Sequence, residues 1–176
     1  MTQRPLLVIL LLLTAACGGR ETTTEAPPPV TTETTATNTA ATNQSVCNLL
    51  TMDDLKTAAG IEGAVGESST SGGAQVCTWT GTNGKVAIVQ LFSSTSDYDA
   101  ARSSFQSMYG TTAQDLSGVG EKAYYLDAPT GRMPTGTLVA QAKAKAISVQ
   151  IMGGSSAPEL RRGEATAVAH LVLGKL

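Results

Sequence analysis

Lys85-Val-Ala-Ile-Val-Gln-Leu-Phe92 is the stretch on which the fold turns. At the two-residue period of a strand it puts Val86, Ile88, Gln90 and Phe92 on one face and Ala87, Val89 and Leu91 on the other. Both faces are apolar, which predicts a central strand covered on both sides. Upstream, Gly81-Thr-Asn-Gly84 reads as a hairpin turn, and Ala74 to Thr80 alternates Val76, Thr78 and Thr80 against Cys77 and Trp79. Residues 64–70 carry a fainter strand pattern.

Further upstream, Leu49-Leu-Thr-Met-Asp-Asp-Leu55 opens a helix. Thr51 is a natural N-cap with Asp54 at the third position, and Leu50 and Leu55 have the spacing of a hydrophobic staple. Gly60 ends that helix. Downstream, Ser96-Asp-Tyr-Asp99 is expected to cap a second helix closed by Gly110. Its apolar stripe is Tyr98, Ala101, Phe105 and either Met108 or Tyr109, with Asp99, Arg102, Ser103 and Gln106 turned away. Residues 115–127 read as a loop and then a strand from about Lys122. Tyr124 and Tyr125 must point to opposite sides of that strand, so at least one ring is expected to be exposed. Gly136–Ala142 and Ala144–Met152 form a hairpin. Ser156-Ala-Pro-Glu159 has the form of a capping box with proline in the first turn. The last helix then runs to about Leu173, with Leu160, Gly163, Ala167 and Leu171 on one face and Gly163 allowing close packing. A helix precedes a meander twice in this order, with negligible identity between the halves. The class is α+β: an antiparallel sheet with helices packed on it.

The other end of the chain sets its address. Arg4 makes a short positive region, Leu6 to Leu13 is an unbroken apolar run, and Ala15-Ala16-Cys17 is a small-residue cleavage site ending on cysteine. The run is too short to span a bilayer, so residues 1–16 read as a secretory signal. The segment resembles the lipobox of bacterial lipoproteins, which implies a thioether-linked diacylglyceryl on Cys17 and a cut just before it. It departs from that pattern at Thr14, where leucine is usual. Two acyl chains suffice for stable anchoring, so a membrane is the expected partner.

Residues 17–46 form the lipidated cysteine and a stalk. Gly18 to Val46 holds ten threonines, Pro27-Pro28-Pro29 and almost no large apolar side chain, so it is expected to stay disordered. As a coil it reaches roughly 30 Å, and extended roughly 90 Å. Asn43-Gln-Ser45 matches an N-glycosylation sequon by pattern alone, and the Thr/Pro bias resembles O-glycosylated tethers.

Residues 47–176 form the globular domain. They carry ten Lys/Arg and eleven Asp/Glu, a net charge of about −1, with no basic run beyond Arg161-Arg162. Nucleic acid is therefore not an expected partner. If Cys17 carries lipid, Cys47 and Cys77 remain, either paired outside the membrane or as two buried thiols. A pair would stabilise the fold by roughly 3–4 kcal/mol on the chain-entropy model.

His170 is the one histidine, no Gly-x-Ser-x-Gly elbow accompanies it, and it reads as a helix-surface or C-terminal dipole-favoured residue. Zinc-type spacing is absent. Asp53-Asp54 and Asp97-x-Asp99 fall in first helical turns, where acids are expected anyway. No phosphate loop occurs, and Gly118-Val-Gly120 precedes a strand instead of following one, so it reads as a turn. No metal or cofactor is expected. Asp115, Glu121 and Asp127 are the carboxylates an envelope hydrolase would use, but nothing in the sequence places them together. Trp79, Tyr124 and Tyr125 are candidate ligand-binding aromatics, with core packing as the competing role for Trp79.

Cys47-Asn-Leu-Leu-Thr51, Cys77-Thr-Trp79, Gly118-Val-Gly-Glu-Lys-Ala123 and a terminal helix together resemble a family of bacterial envelope lipoproteins best represented in actinobacteria, a domain of unknown function. The resemblance covers nearly all of residues 47–176. It implies a PsbP/Mog1-like α/β/α fold and pairing of Cys47 with Cys77, and it carries over no catalytic residue. The expected function is a lipid-anchored, extracytoplasmic, non-enzymatic binding or interaction domain of the cell envelope, with a protein or cell-wall partner. The competing expectation is a carrier or sensor of a small apolar ligand held between sheet and helix, which requires an internal cavity.

Overall fold

The computed structural model describes residues 45–128, 133–154 and 157–176. Cys17, the leader and nearly all of the stalk lie outside the described residues. Among the described residues, seven strands make one antiparallel sheet: β1 (Val65–Ser71), β2 (Ala74–Thr80), β3 (Val86–Phe92), β4 (Gln114–Leu116), β5 (Lys122–Ala128), β6 (Thr135–Ala142) and β7 (Lys145–Met152). Their order across the sheet is β1-β2-β3-β7-β6-β5-β4, so β3 and β7 form the central seam. The helices are α1 (Met52–Ala59), α2 (Ser96–Tyr109) and α3 (Pro158–Gly174), with a 3₁₀ turn at Val46–Leu49. This is the α+β class expected.

Local chemistry explains the elements read correctly. Thr51 accepts from the Asp54 amide while Asp54 accepts from the Thr51 amide, a complete capping box. Gly60 closes α1 in the left-handed region at φ 60°. The Gly81–Gly84 turn joins β2 to β3 in register, Cys77 against Val89 and Trp79 against Ala87.

One face of the sheet carries α1, α3 and the 3₁₀ turn over Cys77, Trp79, Ala87, Val89, Leu138, Ile147, Val149 and Ile151, all buried. The other face carries α2 over Tyr124, Leu126, Val139 and Ala146. Tyr98, Phe105 and Tyr109 make the contact there, while Met108 is 67% exposed, which decides the alternative left by the stripe. The strand halves meet at the β3/β7 seam, yet α1 and α2 lie on opposite faces, so the repeat does not extend to the helices.

Several expectations are corrected. β3 is central, but only Ala87 and Val89 are fully buried; Val86, Ile88, Gln90 and Phe92 are half-buried, because α2 sits over β5 and β6. The N-cap of α2 is Thr95, and Ser96 lies inside the helix with its amide bonded to the Ser94 hydroxyl. Ser156 lies outside the described residues, and Ala157 takes the N-cap position of α3. The buried face of α3 is Arg161, Ala165, Val168, Ala169 and Val172. Leu160 is 57% exposed and Gly163 packs against nothing, because α3 is rotated to put Arg161 inside.

Candidate functional site

Among the described residues, those singled out in the sequence fall in four places, the last of them the groove beside His170. The first is the core beneath α1. Cys47 and Cys77 form a disulfide with their Cα atoms 5.1 Å apart. It ties the 3₁₀ turn to β2. Trp79 is buried beside it, and β1 makes room with glycine: a Cβ at Gly66 would stand 2.6 Å from Trp79 Nε1 and 3.2 Å from Cys77 Sγ. Trp79 is therefore a packing residue.

The second place is the junction of β5, β6 and the start of α3. Arg161 Nη2 donates to both carboxylate oxygens of Asp127, at 2.7 and 2.9 Å, and Arg161 Nε donates to Oδ1 at 3.0 Å. The Tyr125 hydroxyl donates to Asp127 Oδ1 at 3.0 Å, with the Pro158 carbonyl 3.4 Å away. Burial, and then the Asp127 charge, push the Tyr125 phenol well above its ordinary range. Tyr124 is fully buried under α2, so neither ring of the pair is exposed. The expected exposed tyrosine fails because both sides of β5 are covered.

The third place is an open cleft of about 390 Å³ between α2 and the β4–β5 edge, lined by Tyr98, Asp99, Arg102, Asp115, Leu116, Glu121, Lys122 and Ala123. Arg102 Nη1 donates to Asp115 Oδ1 at 2.6 Å, and its guanidinium lies 5.2 Å from the centre of the Tyr124 ring. Tyr98 meets Tyr124 edge-on at 5.1 Å. Asp115 reinforces the positive charge of Arg102, while burial raises the Tyr98 and Tyr124 phenols. Glu121 Oε1 accepts from the Lys143 amide, and the Glu121 amide bonds the Gln141 carbonyl. The Gly118-Val-Gly120 segment is a turn with Val119 buried; a Cβ on Gly120, at φ 62°, would stand 2.5 Å from the Gln141 oxygen.

So the structure brings Asp115 and Glu121 to one cleft and sends Asp127 to the opposite face, locked by Arg161. Within the cleft Asp115 is engaged by Arg102 and Glu121 by backbone, and the hydroxyls present are phenols. What the cleft offers is a mixed-charge surface with an arginine on an aromatic floor, suited to a polar or charged group. Arg102, Tyr98 and Lys122 were not singled out from the sequence, because nothing local marks a helix-surface arginine that meets a ring from a distant strand.

His170 is exposed and borders a groove of about 510 Å³ between α1 and α3, with Asp53, Asp54, Thr57, Ala58, Ala167 and Leu171. Asp54 is bonded to Thr51 and, at 2.8 Å, to Lys175. No group of three His, Cys, Asp or Glu suited to a metal gathers among the described residues. No helix among them is long and apolar enough to cross a membrane. In comparisons with known proteins, no family model matches this chain, and no curated protein or solved structure matches it either.

Proposed function

We propose that this chain is a lipid-anchored extracytoplasmic lipoprotein, of the actinobacterial domain-of-unknown-function kind it resembles, whose domain binds an envelope partner through its surface without catalysis. One observation carries the choice of a surface binder over an internal carrier. The space between the sheet and α1/α3 is filled by side chains with no solvent exposure, among them Leu55, Ile61, Leu138, Ile147 and Val149, with Trp79 and Tyr125 alongside. A carrier of a small apolar ligand on that side of the sheet needs a void where these residues stand, and the cleft on the α2 side is lined mainly by charged residues. The clefts described above open to solvent, and the Arg102–Tyr124–Asp115 cleft offers the polar handles for a partner. The envelope-hydrolase alternative is disfavoured because Asp127 is held apart by Arg161 and, of the two carboxylates that share a cleft, Asp115 is engaged by Arg102 and Glu121 by the Lys143 amide.

Two measurements test this. Cells fed a clickable fatty acid should label the wild-type chain in the membrane fraction and leave Cys17→Ser unlabelled; equal labelling would remove the anchor. Native mass spectrometry of the gently purified chain should show no small apolar adduct. A stoichiometric adduct would transfer the assignment to the carrier reading.

A further inference from the structure

The two edges of the sheet are unlike. β4 is three residues long, which limits what can pair with it. β1 is seven residues long, and every one of them is exposed, Val65 at 75%. Its register against β2 runs unbroken from Val65↔Thr80 to Ser71↔Ala74, so no bulge twists it away. It holds no proline and no lysine, and its single charge is Glu67. Among the described residues, an edge this long presents a row of main-chain donors and acceptors guarded by a single charge.

From this edge we infer that β1 is a self-association surface, on which a second copy of this chain adds its own β1 antiparallel and extends the sheet across a two-fold axis.

The sequence of β1 selects the register. Centred on Ser68, all seven residues pair: Val65 with Ser71 of the other copy, Gly66 with Thr70, Glu67 with Ser69, and Ser68 with itself. Glu67 then faces a small hydroxyl. Centred on Glu67, the two carboxylates would oppose each other directly, which is unfavourable. The Ser68 register forms roughly six to eight main-chain hydrogen bonds.

The tether geometry agrees. Antiparallel pairing of identical edges puts the two-fold perpendicular to the sheet, so both copies keep the same face on the same side. Ser68 pairs with Cys77, placing it on the face of the disulfide and the 3₁₀ turn. Ser45, the first described residue, donates its hydroxyl to Ser68 Oγ at 3.3 Å. Both chains therefore enter their domains beside the axis and on one face, as two copies rooted in one surface require. An edge-only contact is small by the standards of stable dimers. Confinement of both copies to a membrane would raise their effective concentration, an advantage that rests on the anchoring reading, whereas the pairing itself does not.

The test uses the full chain carrying donor or acceptor dyes at its C-terminus, mixed with phospholipid vesicles at rising protein-to-lipid ratio. Co-flotation with the vesicles reports the anchor separately; if the chain does not float, the titration is run in solution. Energy transfer should rise with density above the random-mixing level. Ser69→Glu sets two new carboxylates opposite the two Glu67 side chains and should weaken pairing roughly 2- to 30-fold, and Ser69→Lys should strengthen it by a similar factor. Glu67→Lys combined with Ser69→Glu should restore pairing, which a folding defect would not do. Transfer at the random level at every density overturns the inference. So does a shift in the same direction for Ser69→Glu and Ser69→Lys.

Discussion

Asp127→Ala tests the account of the α3 rotation most directly. The Arg161 side chain is 1% exposed and that of Asp127 is 17% exposed. Removing the carboxylate leaves the Arg161 charge inside the protein without the ion pair that Asp127 supplies. Deleting one member of a buried pair costs about 3–5 kcal/mol, and partial solvent access at Asp127 points to the lower end, about 3 kcal/mol. For a domain of this size that lowers the melting temperature by about 10 °C. The double variant Asp127→Leu with Arg161→Leu removes charge and counter-ion together and should lie within about 1 kcal/mol of the parent. Equilibrium denaturation with the disulfide intact, followed by circular dichroism, reads both. If Asp127→Ala costs under about 1 kcal/mol, or the double variant is as unstable as the single one, Arg161 is not held in place by this carboxylate.

Three further outcomes are expected. Gly66→Ala forces Trp79, the only tryptophan, to move away from a Cβ placed 2.6 Å from its Nε1, and should cost about 1–3 kcal/mol with a changed near-ultraviolet spectrum. An unaltered spectrum and melting curve would contradict that contact. Opening the Cys47–Cys77 bridge, whose partners are 30 residues apart, should lower stability by about 3.6 kcal/mol on the chain-entropy model, measured by denaturant titration of Cys47→Ser with Cys77→Ser. Lys175 and the Thr51 amide lower the Asp54 pKa from 3.8 to about 2. Its contribution is thus present above about pH 4 and lost as the pH falls through 2, worth about 1 kcal/mol once screening at the exposed Lys175 is allowed for. Asp54→Asn should flatten that acid limb of the stability curve, and a limb of unchanged slope would count against the pair.

What the sequence made legible is what neighbouring residues decide among themselves. The Thr51–Asp54 capping box, the Gly60 and Gly110 helix ends, the Gly81–Gly84 hairpin and the alternation in β2 and β3 each need only a few consecutive residues. The failures are non-local. Arg161 reads as a surface residue until Asp127 is brought to it from another strand, and the face of α3 was misread with it. Tyr124 and Tyr125 are both buried because two different helices cover the two sides of β5, a fact absent from the strand itself. β4 is too short to announce a period. The Arg102 cleft depends on a stripe-averted helix residue reaching a ring on β5 and a carboxylate on β4, so Asp115 and Glu121 could be named without being placed.

The disulfide also decides how this domain meets a mechanical load. The described chain begins at Ser45, two positions before Cys47, and Cys47 is bonded to Cys77 in β2. Tension applied through the preceding segment passes across the sulfur bridge into the interior of the sheet. The residues between the two cysteines, which include α1 and β1, form a covalent bypass loop that carries none of that force. Pulling therefore cannot peel β1 from β2 one residue at a time; it must draw β2 out from between its two neighbours. Reduction of the bridge would put the exposed edge strand in the force path ahead of β2.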